Sequence, residues 1–499
     1  MTNQSSAGLF DIEDKHKKYL LFFPLILNIT IFFRGLNNDI WFLLTHGRYV
    51  INNGIPTVEP FTIHEGFKFV MQQWLSSVIF YVTYSWFGEY GLKLLVICAY
   101  IISMVIFYKL CMKLTLNNFF KSIIITYLYI TLINVFMTTR PFIFTNIVLL
   151  FEVYVLEMYF IEKNEKLLLI LPLLSLVLIN IQAAMWPMLF IIMSPFVIDS
   201  FKFHIGPFRG YGAKKKQLFI AGFSMVIMGF VNPYGFDSMV YIKNSYGVPE
   251  INDMVGEMAP ATTTTVLGLL IILICVSVTL LYIFGKSEKK SLRYILLAIG
   301  TSYISLSTVR GFIFFICCAL YPLSVFIDEV RIPRFDGKYP ERTILIRKVL
   351  VILIIFITPV AFYRLSTFTN KYNSETDLFN NALEYVIKDI KEESVILYTG
   401  YNDGGLAEFK GVASYIDPRA EVFLKDNNMV SDVFIEYYDL QKGILYYKEF
   451  LAKYNFTHLI VDSNDILFTY LPHDKDYTII FSNNKYILFK RLSKAIRDS

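Results

Sequence analysis

Carboxylates and arginines that a plain membrane anchor would not need recur along this chain. Asp39 follows a first apolar segment, in "RGLNNDIWFLL". Glu59 stands in the loop behind it, Arg140 begins "RPF", Asp253 and Glu257 flank "INDMVGEMAP", and Arg310 stands in "STVRGF". A carboxylate within hydrogen-bond reach of a hydroxyl can take its proton and turn a weak nucleophile into a strong one. A guanidinium offers a planar pair of donors where a phosphate oxygen gains charge. Asp39 is the first candidate for the base and Glu59 the reserve. Arg140 and Arg310 are the candidates for a phosphate. Trp41, Gln73, Gln182, Asn232, Tyr234, Asp253 and Glu257 are polar or aromatic side chains that could line the same site. Taken singly, each has a plainer reading. Asp39 sits in a turn-forming Asn-Asn-Asp run, and each arginine could be a snorkelling helix-end anchor.

These residues need elements that hold them at one depth. The 499 residues are 55% hydrophobic and 17% charged, with a mean hydropathy of +0.50. Such a composition excludes an ordinary soluble domain. Apolar runs of membrane-crossing length recur, and eleven spans are predicted near 19–34, 94–112, 122–138, 142–161, 167–185, 188–201, 218–232, 264–285, 294–309, 311–328 and 349–366. The fold class predicted is a polytopic helical membrane protein with a C-terminal α/β domain outside the cytoplasm. A tail over 1–18, a membrane domain over 19–366 and a soluble domain over 367–499 make up the chain. The N-terminal segment has no small-residue cleavage site after the first apolar run, so that run is expected to stay as an anchor.

Alternate segments of the membrane domain hold 23 Lys and Arg against 8 in the others. The rule that positive loops stay inside puts the N-terminus in the cytoplasm and Asp39, Arg140, Glu257 and Arg310 on the outer side. The same placement argues against nucleic acid as the partner of the +5 net charge. The first external loop, 35–93, is long and aromatic. It is expected to fold over the membrane surface and to end in an interfacial helix over 74–91 carrying Trp74, Tyr81, Tyr84 and Trp86. The five cysteines lie in or beside apolar runs and form no disulfide or zinc spacing. Neither a phosphate-cradling glycine loop nor a metal motif is present, so no cofactor and no metal are expected.

In the tail, helix then strand then helix recur over 376–393, 394–400, 401–411 and 444–465. A strand is predicted over 413–423 and a hairpin over 477–492.

The motifs and their order resemble an uncharacterised bacterial branch of the GT-C membrane glycosyltransferases. They are Asp39-Ile40-Trp41, Gly54-Ile55-Pro56, Glu59-Pro60-Phe61, Trp74-Leu75, Arg140-Pro141, Asn232-Pro233-Tyr234-Gly235, Arg310-Gly311, Asp403-Gly404-Gly405 and Asp417-Pro418-Arg419. The chain carries Glu59 where that pattern has Asp and Gln73 where it often has Glu. The resemblance implies transfer of a sugar from a polyprenyl-phosphate donor to a cell-envelope glycan, lipid or protein on the outer face. It assigns Asp39 as base and gives Arg140 or Arg310 the phosphate. A lipid or saccharide transporter and a non-catalytic scaffold of envelope assembly are the competing readings. One-sided polar residues and the lack of a visible repeat favour the enzyme over the transporter.

Overall fold

The computed structural model describes residues 34–492 apart from 203, 206–207, 211, 213–214, 245–246, 286–290, 327–374 and 391–393. The first and last predicted spans lie outside these residues, except for Arg34. The others meet helices at nearly the predicted positions. Three described helices are long and apolar enough to cross a membrane: Trp74–Leu114, Phe142–Glu162 and Val266–Phe284. The remaining predicted spans are shorter apolar helices, among them Pro187–Asp199, Lys215–Gly229 and Leu292–Ser307.

The loop after the first span does not begin as a loop. Residues Asp39–Asn53 form a helix, α1, where the sequence reading placed irregular chain. Asn37 Oδ1 accepts the Asp39 N–H at 3.0 Å and turns the chain into its first turn. Gly54, at φ 84°, ends it and returns its N–H to Val50 O at 3.0 Å. Residues Ile40–Gly47 are buried without a break, because α1 is enclosed on several sides. It crosses α2, Trp74–Leu114, so closely that a Cβ on Gly47 would lie 2.2 Å from Ser77 O. Helix α2 joins the predicted interfacial helix to the following span. Gly88, at φ 59° and ψ −151°, breaks the helical geometry between the two.

The rest of the loop, from Gly54 to Gln73, is fastened to the tail. Ile63 N–H donates to Ser414 O at 3.0 Å, Lys68 N–H to Asn428 O at 2.9 Å, and His64 Nε2 lies 2.7 Å from Tyr415 O. Phe61, Phe67, Phe69 and Met71 share one apolar cluster with Tyr415, Phe423, Phe434 and Phe450 of the tail. The first loop and the tail therefore pack against each other.

The tail starts with a helix over 375–389 and builds a four-stranded sheet. Strand β1, Leu397–Thr399, runs parallel to β2, His458–Asp462. The hairpin of β3, Tyr477–Ser482, and β4, Tyr486–Arg491, completes the order β1-β2-β4-β3. The predicted strand over 413–423 does not form. Ser414 makes single bridges to Thr62 and Leu397, and the chain then turns through Ala420–Phe423. Pro418 has no N–H for a ladder, and Asp417 and Arg419 turn inward. A helix absent from the sequence reading, Val433–Gln441, packs beside this turn.

Candidate functional site

The N-terminus of α1 places Asp39 next to two connections of the membrane domain. The turn before helix Phe142–Glu162 carries Arg140, and the turn before helix Phe312–Cys318 carries Arg310. Arg140 Nε is 2.7 Å from Asp39 Oδ2, and its Nη1 donates to both oxygens of Glu257 at 2.7 Å. Arg310 Nη1 donates to Glu257 Oε1 at 3.3 Å. Two acids and two arginines thus alternate in one chain of contacts, each side chain between a fifth and a third exposed. Polar groups in such a position keep access from outside while gaining strength from the reduced dielectric around them.

Burial raises the Asp39 carboxyl above the ordinary range, with Arg140 opposing. Glu257 is also pushed up by burial, but Arg310 and Arg140 outweigh this and hold it below its usual value. A raised carboxylate is the better proton acceptor of the two, and its place in the first turn of α1 aligns it with the positive end of the helix dipole. The tail forms a further wall. Glu421, raised by burial, senses Arg310 and Arg419, and accepts a hydrogen bond from Gln72 Nε2 at 3.1 Å.

Of the predicted residues, Asp39, Arg140, Glu257 and Arg310 come together. The others do not join them. Glu59 is wholly buried in a second cluster. Its oxygens accept the N–H groups of Phe61 and Thr62 and the Thr62 hydroxyl, and Oε1 faces Arg419 Nη2 at 3.0 Å. Arg419 Nε donates to both Asp417 oxygens at 2.8 Å, and its Nη1 lies 3.0 Å from His46 Nε2. Arginine cannot accept, so His46 Nε2 is the acceptor and the ring is neutral. Burial and the Arg419 charge lower the His46 pKa accordingly. Glu408, whose Oε2 is 3.7 Å from Arg419, is raised well above a normal carboxyl by burial and by Asp417. Phe42, Phe61 and Phe69 cover the guanidinium at 5.4–6.0 Å.

The remaining predicted residues hold the frame. Trp41 packs on Phe409 of the tail at 5.3 Å. Gln182 Oε1 accepts from Thr145 at 2.7 Å. Asn232 closes its own turn through Gly229 O, Gly235 O and the Tyr234 N–H. The Tyr234 hydroxyl donates to Pro56 O at 2.8 Å. Asp253 is an exposed link to Tyr438 and Lys442 of the tail. Gln73 is the residue before α2, and its neighbour Gln72 makes the cross-connections, to Glu421 and to the N–H of Ala184 at 3.0 Å.

Asp403-Gly404-Gly405 is a close-approach motif. A Cβ on Gly404 would lie 1.9 Å from Ile416 O, and one on Gly405 would lie 3.3 Å from Phe42 N. Here the short helix Gly404–Phe409 rests against α1. Asp403 precedes it, accepts the Tyr486 hydroxyl at 3.0 Å, and is raised by burial to about 7.

No protein-family model matches the sequence, and no curated protein matches it. Solved structures do. The oligosaccharyltransferase of Archaeoglobus fulgidus, tethered to an acceptor peptide containing the NVT sequon, aligns with a TM-score of 0.57 at 11% identity. The alignment covers 96% of this chain and 74% of that one. AglB of the same organism, in complex with an inhibitory peptide and a dolichol-phosphate, gives 0.58 at 10% identity over 90% and 69% of the two chains. ArnT of Cupriavidus metallidurans, bound to undecaprenyl phosphate, gives 0.55 at 10% identity over 97% and 99%. Its apolar helices, its C-terminal sheet and these likenesses give the chain the fold of the GT-C membrane glycosyltransferases.

Proposed function

We propose that this protein is a membrane glycosyltransferase that moves a sugar from a polyprenyl-phosphate donor to an acceptor of the cell envelope on the outer face. The observation that carries the reading is the contact chain Asp39–Arg140–Glu257–Arg310, partly open and set at one end of a GT-C fold. Two solved neighbours of that fold carry a dolichol-phosphate and undecaprenyl phosphate, which supports a lipid-linked phosphate as the donor's leaving group. The excess of Lys and Arg in the opposite loops supports the outer side.

In this reading the Asp39 carboxylate accepts the proton of the acceptor hydroxyl. The oxygen then bonds to the anomeric carbon as that carbon's bond to the phosphate oxygen breaks. Polyprenyl phosphate leaves with the electron pair, and Arg140 and Arg310 stabilise its growing charge. Arg140 touches both halves of the reaction, since its Nε meets the base. The end of α1 and the loop over 54–73, packed against the tail, keep water from replacing the acceptor.

Purified protein supplied with undecaprenyl-phosphate sugars tests the proposal. Release of undecaprenyl phosphate that requires acceptor and is lost in Asp39→Asn supports it. Equal release by wild type and Asp39→Asn overturns the assignment of the base, and movement of intact donor across a vesicle membrane without cleavage would favour a transporter.

A further inference from the structure

Arg140 and Arg310 approach from two separate turns and meet on one carboxylate of the chain itself. Arg140 Nη1 reaches both Glu257 oxygens at 2.7 Å, and Arg310 Nη1 reaches one at 3.3 Å. Two guanidiniums around one anion is the arrangement that binds a phosphate. The carboxylate stands at the place that arrangement defines.

The backbone under this carboxylate is pinned. Arg310 N–H donates to Glu257 O at 2.9 Å, Val309 N–H to Ala259 O at 2.9 Å, and Ala261 N–H to Leu306 O at 3.1 Å. The side chain is not enclosed, with 34% of its surface exposed. A rotation about the Glu257 side-chain bonds can thus move the carboxylate toward solvent while its Cα stays fixed. Arg140 would keep its orientation during this exchange, because Asp39 holds its Nε at 2.7 Å.

Resting on the proposed function, we infer that Glu257 is an internal stand-in for the donor phosphate, occupying the anion position between Arg140 and Arg310 and exchanging with the phosphate of the lipid-linked donor. The stand-in has two effects. It keeps two like charges close together without a substrate, so the site needs little rearrangement when the donor arrives. It also competes with every anion, so apparent affinity is lower than the arginines alone would give, by the fraction of time the carboxylate is in place. Weak anions are refused, and product phosphate is displaced after transfer.

The test is binding of undecaprenyl phosphate to the purified full chain in nanodiscs, for wild type, Glu257→Gln, Glu257→Ala and Arg140→Ala. The amide keeps the size of the side chain and removes its charge. Tighter binding by Glu257→Gln and Glu257→Ala, about tenfold, with a lower donor KM and slower product release, is the expected result. Unchanged or weaker binding in both variants, with Arg140→Ala binding poorly, overturns the stand-in and leaves the phosphate site. Equal failure of wild type and all variants to bind overturns the phosphate site and the stand-in with it. Thermal unfolding of each variant identifies one that has lost its fold, and the second Glu257 variant then decides.

Discussion

Two arginine-centred clusters share helix α1 and differ mainly in their access to the outside. At its first residue, Asp39 meets Arg140 in a chain of charges whose side chains are about a fifth to a third exposed. Seven residues on, about 10 Å along the axis, His46 meets Arg419. There one guanidinium, almost fully buried, faces Glu59, Asp417 and Glu408 under three phenylalanine rings. Both clusters contain arginine and carboxylate at hydrogen-bond distance. The sealed one is almost fully buried, and most of its polar atoms pair with each other or with the backbone of the loop, with His46 Nδ1 and Glu408 Oε2 making no hydrogen bond. It fixes α1 between loop and tail. The open one sits at the end of the rod so fixed. Charge pairing alone therefore does not mark an active site, and exposure at a rigid element's end separates the two.

The largest effect expected is at the open cluster. Asp39→Asn should lower sugar transfer by about 10²–10⁴-fold while leaving the thermal unfolding temperature unchanged. Near wild-type turnover would transfer the role of base elsewhere and erase the contrast. At the sealed cluster the pattern should reverse. Arg419→Met leaves buried acids without their cation and should cost about 3–5 kcal/mol of stability. Glu59→Gln should weaken the fold in the same direction, with turnover retained per folded molecule. If Glu59→Gln abolishes transfer in a protein of normal stability, the two clusters have been assigned the wrong way round.

A smaller effect sharpens the open cluster internally. Arg140→Lys keeps the charge but loses the planar fork, and the donor KM should rise about tenfold. Arg310→Lys should change it less, since Arg310 makes one longer contact with Glu257. The smallest effect is on pH. Transfer needs ionised Asp39, so its rate should rise with pH through a midpoint above the normal aspartate range, because burial disfavours the charged form. A midpoint at or below that of a free aspartate would mean that Arg140 outweighs burial there.

Much of the open cluster was legible in the sequence because a polar side chain near membrane depth is costly and must have a use. Asp39, Arg140, Glu257 and Arg310 could be put on one side by counting spans. Position around the ring could not be read this way. Asp253 lies on the same side as Glu257, four residues earlier, yet ends on the tail's surface. Helix α1 was hidden because residues Ile40–Gly47 are buried all round, which removes the 3.6-residue periodicity that reveals a surface helix. Arg419 was visible only as part of a motif. Its partners Glu59 and His46 lie 360 and 373 positions away, and no local pattern announces a contact of that range. The strand expected over 413–423 is broken by the inward turn of Asp417 and Arg419 around Pro418.

The long reach of the sealed cluster sets an order of events during synthesis. Helix α1 and its loop are made first, and Phe409, Asp417 and Arg419, which hold them, are made more than 350 residues later. At about 5–20 residues per second the wait lasts tens of seconds. For that time the apolar face of the loop, including Phe61, Phe67 and Phe69, has no tail to cover it. On the proposed function, the geometry at Asp39 is completed only when translation has passed Arg419. If the proposed function holds, a prematurely ended chain would have Asp39 and the arginines but not the clamp that aims them, and incomplete copies could not draw on the cell's pool of activated lipid-linked sugar.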